Sequence, residues 1–220
     1  MKPTDKNEIL RYMGQRGAAS PELEELVDEA AQLVSAAASP RHVSEHAAVR
    51  VRGGTVFFGG IAVESGDLAE HLCGCGEAVL FAATLGAQVD RLISRYGKTD
   101  SAQALCMQAA GAVITENLCD EIEHGIASEA AKDGCFIRAR FSPGYGDFDI
   151  ACQTGILSIL QADKKIGLTE TATHMLAPLK SVTAVVGISD QKETGTKTGC
   201  DSCEKTDCRY RKRGGKVITV

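Results

Sequence analysis

No run of apolar residues in this chain approaches the ~18 that a membrane-spanning helix needs. The opening residues, Met1 to Lys6, are polar and contain no apolar core of the kind a secretory leader carries. A soluble cytoplasmic protein is expected. Positive charge is also not in surplus. The chain has 24 Lys and Arg against 29 Asp and Glu, a net charge of -5 and a pI near 5.6. That balance argues against nucleic acid as a partner. No Gly-x-Gly-x-x-Gly follows a strand pattern, so a Rossmann dinucleotide site is not expected. There are no internal repeats. His42, His46, His71, His124 and His174 are scattered and read as structural. No nucleophile stands beside a base, which suits a mechanism in which cofactors carry the chemistry and the protein supplies position.

What is present is one sizeable core's worth of sequence, 220 residues with 44% hydrophobic. A short helix is expected over residues 6–13. Ser20-Pro21 then reads as N-cap and first helical position of a second helix that Pro40 stops. Val49–Arg52 and Thr55–Phe58 flank Gly53-Gly54, a hairpin signal. Ser65 caps a short helix through Leu72. The continuous apolar run Ala78–Ala83 reads as a buried central strand, followed by a helix over 87–96. A long helix begins at 99–101 and runs toward Gly134. Its early stretch is rich in small residues, for packing or for a ligand lying on it. Cys135–Phe141 alternates as a strand with Arg138 and Arg140 on one face. A loop over 142–149, a helix over 150–160 and an apolar strand over 181–188 follow. Helices and strands are interspersed with a hairpin, which favours α+β over a doubly wound parallel sheet.

Nine cysteines are many for such a chain. Cys73, Cys75, Cys106, Cys119, Cys135 and Cys152 are expected as buried free thiols. Cys200-x-x-Cys203-x-x-x-x-Cys208 is different. Three thiolates at this spacing can share one metal, an iron–sulfur cluster or zinc, and the basic residues after Cys208 favour thiolate. A fourth ligand would come from Cys73, Cys75, another chain or solvent. The chain from Asp190 onward turns polar, so residues 1–189 are read as one domain and 190–220 as a linker and Cys-rich basic tail.

The segment with most chemistry is Arg140-Phe141-Ser142-Pro143-Gly144-Tyr145-Gly146-Asp147. A strand carries arginine into a Pro-Gly turn, where a guanidinium can grip a carboxylate by two hydrogen bonds and glycine lets a ligand approach the backbone. This loop resembles the signature loop of the activation domain of cobalamin-dependent methionine synthase. The similarity extends to Lys165-Ile166-Gly167-Leu168-Thr169-Glu170, to Met175, Pro178 and Lys180–Ala184, and upstream to Phe81–Gly86 and Thr115–Asp120. It covers most of residues 1–189.

The resemblance implies a C-shaped α+β domain with a central antiparallel sheet flanked by helices, binding S-adenosylmethionine in a shallow groove. Carried over, Arg140, Ser142, Pro143, Gly144 and Tyr145 would hold the methionine part, and Glu116 or Asp120 the amino group. It implies a component of methyltransferase reactivation rather than a complete enzyme. The partner would be a cobalamin-carrying methionine synthase or another corrinoid protein, with an electron donor such as flavodoxin or ferredoxin. The chain lacks Asp-x-His-x-x-Gly, so cobalamin is expected on the partner. It departs from the family at Gly146-Asp147-Phe148-Asp149 and in having no matching tyrosines after Ser189. The competing reading, resting on the cysteine tail, is a non-enzymatic iron–sulfur or zinc module that assembles with a corrinoid or redox protein.

Overall fold

A computed structural model describes residues 3–15 and 17–191. Helices α1 (Pro3–Tyr12) and α2 (Pro21–Ala37) open the chain. The Ser20 hydroxyl accepts from Leu23 N at 3.3 Å and Pro21 takes the first helical position. After Pro40 comes β1 (Arg41–Ala48), a strand that sequence patterning does not show. It lies at a sheet edge, and only its Val43 and Ala47 are packed against the core. An edge strand with one open face does not have to alternate in hydrophobicity. Strands β2 (Arg50–Arg52), β3 (Thr55–Phe58) and β4 (Ile61–Glu64) form a small antiparallel sheet around the expected Gly53-Gly54 hairpin.

Next come α3 (Gly66–His71), β5 (Glu77–Thr84), α4 (Ala87–Tyr96), α5 (Ser101–Lys132) and β6 (Phe136–Ile137). A short 3-10 turn (Ile150–Cys152), α6 (Gln153–Leu160), α7 (Ala162–Ile166), the pair β7 (Thr169–Glu170) and β8 (Leu176–Ala177), and β9 (Ser181–Ser189) complete the order. The main sheet runs β1-β5-β9-β6, every pair antiparallel. Its centre is β5, whose residues from Ala78 to Thr84 are all buried, which is why the stretch reads as a continuous apolar run.

An antiparallel sheet with elements packed on each face of its centre gives the α+β class. One face carries Phe81, Ala83, Ala184 and Val186 and packs on Cys119 and Ile122 of α5. The other carries Leu80, Ala82 and Val185 and packs on α3, α6, α7 and the small sheet. Helices α1, α2 and α4 close over the N-terminal half of α5. The small residues of α5 serve packing there. Ala109 and Ala110 share a cluster with Ala30 and Ala31 of α2. The Lys180 side chain lies across Gly111, where a Cβ would stand 2.9 Å from Lys180 Cε. Burial lowers the Lys180 pKa, and its ammonium donates to the Gln108 carbonyl at 3.0 Å.

The strand expected over 135–141 is broken by an extra residue. Ile137 pairs with Ile188 and Phe141 with Val185, so four residue steps on one strand oppose three on β9. Ala139 and Arg140 together stand opposite Val186, a β-bulge. The bulge corrects the expectation that Arg138 and Arg140 share a face. Arg138 Cγ lies beside Gly187 with Leu72 and Cys75 on the α3 side, whereas Arg140 turns onto α5. Phe141 returns to the α3 side. The thiols also differ from expectation. Cys75, Cys106 and Cys119 are buried, Cys135 and Cys152 are half-buried, and Cys73 is exposed in the turn after α3.

Gly187 is where the α3 side closes most tightly. A Cβ there would stand 2.7 Å from both Cys75 Sγ and Leu72 Cδ2. Gly187→Ala should therefore lower stability by ~1–3 kcal/mol, read as a lower urea midpoint at unchanged slope. An unchanged midpoint would contradict this packing.

Candidate functional site

The site is built where the bulge meets α5. Glu116, Asp120 and Glu123 recur on α5 at spacings of four and three, so they form one stripe along the helix. The bulge delivers Arg140 to that stripe. Its Nη2 donates to Glu116 at 2.6 Å and its Nη1 to Asp120 at 2.7 Å and to Glu123. Glu123 also accepts the Arg140 backbone N–H at 2.8 Å. Burial works against the Arg140 charge, but Asp120 and Glu116 more than offset it and hold its pKa above the usual value.

The three carboxylates are not equivalent. Glu123 is 15% exposed, against 42% for Glu116 and 55% for Asp120. Glu123 ties the bulge to the helix, while Glu116 and Asp120 face outward. On the opposite side of the sheet, His71 Nε2 donates to the Ala139 carbonyl at 2.7 Å and its ring lies 5.0 Å from that of Phe141. The bulge is thus held from both faces. Cys119, between the outward carboxylates in sequence, is fully buried, and that burial pushes its thiol up to about 12.

The loop that follows is two consecutive turns. Tyr145 N donates to the Ser142 carbonyl at 3.1 Å, and Phe148 N to the Tyr145 carbonyl at 2.9 Å. Gly144 N closes back on the Phe148 carbonyl at 2.7 Å. Gly144 (φ +91°) and Gly146 (φ +54°) take the left-handed conformations these turns require. Pro143 is buried and Tyr145 is 65% exposed, its ring 6.4 Å from Phe141. The N–H groups of Gly144 and Tyr145 are spent inside the turn. What the loop presents outward is therefore the Tyr145 ring.

Asp147 anchors the loop. Its carboxylate accepts from the Ser65 hydroxyl, from Gly66 N at 2.7 Å and from Asp67 N at 3.1 Å. In return Asp147 N donates to Asp67 Oδ2 at 3.0 Å. A distant segment thus satisfies the first N–H groups of α3, while Ser65 accepts from Leu68 N at 3.0 Å. A Cβ on Gly146 would fall 2.0 Å from Asp67 Oδ2, so only glycine fits beside it.

The structure therefore brings Arg140, Glu116 and Asp120 into one cluster, with the turn from Ser142 through Pro143 and Gly144 to Tyr145 directly following in the chain. Sequence reasoning missed Glu123, His71 and Asp67, and read Ser65 as the cap of α3, which it is, without its bond to Asp147. Of the three missed, only Glu123 had a signal, as the third member of an acidic stripe. Among the described residues, no group of three His, Cys, Asp or Glu is placed to hold a metal ion. Cys200, Cys203 and Cys208 lie outside the described residues.

The Ser65 and backbone donors hold the Asp147 carboxyl below its usual value of 3.8. A depressed carboxylate contributes stability above its unfolded pKa and loses it as pH falls through the folded one. The loop anchor should therefore persist throughout the neutral range and release only below pH ~4. In an NMR titration the Gly66 and Asp67 amide shifts should move with a midpoint below 3.8, and Asp147→Asn should abolish that step. A midpoint above 3.8 would contradict the anchor.

The fold is similar to that of a solved structure, the MetH reactivation domain bound to AdoHcy. The TM-score is 0.62 at 13% sequence identity, and the match covers 86% of this chain and 78% of that one. No family model matches the chain, and no curated protein matches it. At this identity the likeness establishes a shared α+β fold.

Proposed function

We propose that this chain binds S-adenosylmethionine at the cluster of Arg140, Glu116 and Asp120, beside the turn of residues 142–145. It would hold the methyl donor for reductive remethylation of a corrinoid carried by a separate methionine synthase or related protein. The observation that carries this reading is the bulge that sets Arg140 among outward carboxylates at the root of the Pro-Gly-Tyr turn. The solved neighbour, whose printed description has it bound to AdoHcy, supports the ligand class.

The electrostatics suit that ligand. Three carboxylates surround one guanidinium, leaving an excess of about two negative charges in a partly desolvated cluster. S-adenosylmethionine brings an ammonium and a sulfonium against one carboxylate. Its amino-acid end can insert into the Arg140–Asp120 pair, carboxylate on the guanidinium and ammonium on Asp120 or Glu116. Two exposed ion pairs then become one four-member network, while Glu123 keeps Arg140 in place. The resemblance would add Ser142 and Tyr145 from the loop that follows, where the Tyr145 ring is exposed and stands 6.4 Å from that of Phe141.

A partner's corrinoid, reduced by one electron from a flavodoxin- or ferredoxin-type donor, would supply the electron pair that takes the methyl group, and the C–S pair would leave on sulfur as S-adenosylhomocysteine held at Arg140, Glu116 and Asp120. The contribution of the chain is orientation of the methyl donor. It is a component of reactivation, with no nucleophile or base of its own in the reaction.

Calorimetric titration tests this reading. S-adenosylmethionine should bind the purified protein, alone or with the partner's cobalamin module present. Because Arg140 ties the bulge to α5, its removal would disturb the fold, so the exposed acids are the better probes. Asp120→Asn and Glu116→Gln should each cost a charged hydrogen bond of ~1.5–3 kcal/mol, or roughly 10- to 150-fold in affinity. No binding by the wild-type protein in either setting would overturn the proposal.

A further inference from the structure

The opposite flank of α5 carries a second groove, separate from the Arg140 cluster. It has a volume of about 630 Å³ and lies between α5 and the uncovered face of β1. Its floor is apolar, formed by Val79 of β5 with Leu118, Ile122 and Ile126 of α5. Its rim is acidic, with Glu77, Glu121, Glu129 and Asp133 and no Lys or Arg among the lining residues. Lys132 pairs with Glu129 at 2.5 Å. His46 Nδ1 lies 3.9 Å from Glu77, so Glu121 and Asp133 carry the unbalanced negative charge of the rim, next to the negative C-terminal end of the 32-residue α5 helix. His42, Ser44 and His46 of β1 form the far wall. Nothing in the S-adenosylmethionine reading uses this groove.

The occupant can be argued from the chain itself. Strand β9 leaves the sheet at the groove. Ile188 and Cys135 line its end, and Ser189 pairs with Phe136. The Ser189 hydroxyl donates to the Gly74 carbonyl and accepts from Gln191 N, each at 3.1 Å, so the exit point is fixed. Beyond Gln191 come 29 residues, which extended would reach ~95 Å. The groove runs alongside an eight-residue strand, ~27 Å long, so the segment can fold back along it. The run Arg209, Arg211, Lys212, Arg213 and Lys216 is the densest basic stretch of the sequence, and Val217, Ile218 and Val220 follow it. Basic residues meet the acidic rim and aliphatic ones the apolar floor. Tethering raises the local concentration to the millimolar range, so contacts that are individually weak suffice.

We propose that the segment Arg209–Val220 of this chain occupies the groove between β1 and α5, and so covers the α5 flank opposite Arg140. The test is zero-length carbodiimide cross-linking of the full-length protein, as an equal mixture of 14N- and 15N-labelled material. Lys212 or Lys216 should couple to Glu121, Glu129 or Asp133 within same-isotope pairs, and salt should suppress the coupling. Mixed-isotope pairs at the statistical share would show that a second copy fills the groove, which overturns the proposal. So would the absence of any such link. A variant adds an independent readout. Glu121 and Glu129 are exposed, so Glu121→Lys with Glu129→Lys should fold. It should raise the rate of arginine-specific cleavage at residues 209–213 by about fivefold, the equivalent of ~1 kcal/mol. An unchanged cleavage rate would also overturn the assignment.

Discussion

Between Ile137 and Phe141 the last strand of the sheet takes four steps against three on β9, and that one additional residue turns Arg140 from the α3 side onto α5. In an unbroken strand, residues 138 and 140 would face the same way and the guanidinium would stand over Leu72 and Cys75. The bulge is stable because it is held twice. Glu123 takes both the side chain and the backbone N–H of Arg140, and His71 takes the Ala139 carbonyl from the other face. The direction of the arginine, the outward pose of Glu116 and Asp120, and the start of the Pro-Gly-Tyr turn all depend on this local register change.

The second fixed point is Asp147, some distance along the same loop. Its capping of Gly66 and Asp67 pins the far end of the double turn to α3, which is itself packed under the sheet. A loop held at both ends presents Tyr145 from a defined place rather than from a range of positions. Preorganisation of this kind is what a site contributes when the reacting groups belong to a ligand and a partner. The α5 helix then separates two different surfaces. One flank has an arginine among carboxylates, and the other has an apolar floor with an acidic rim.

Much of the fold was legible because burial and periodicity agree in it. The Ser20-Pro21 start, the Gly53-Gly54 hairpin, the β5 run and the long α5 helix each carry a local signal that tertiary packing does not override. β1 was not legible, since an edge strand reading Arg-His-Val-Ser-Glu-His-Ala-Ala buries too little to alternate. The bulge was not legible either. Period-two alternation from Arg138 to Phe141 looks regular, and the partner that breaks it, β9, lies more than 40 residues on. At the site, Arg140, Glu116 and Asp120 were named from the sequence by resemblance and are found in direct contact. Glu123 and the bonds from Asp147 to Gly66 and Asp67 were not, because their partners are distant in sequence. Cys200, Cys203 and Cys208 fall outside the described residues, and the metal expected there stands on their spacing alone.

The central claim is that the ligand sits on the Arg140 flank of α5. NMR amide shifts of 15N-labelled protein titrated with S-adenosylhomocysteine, which cannot transfer a methyl group, address it directly. The account predicts saturable shifts at Glu116, Asp120, Glu123 and Arg140 and through residues 142–147, with Leu118, Gly125 and Glu129 unmoved. Shifts confined to the groove between β1 and α5, or no saturable shifts at all, would contradict it.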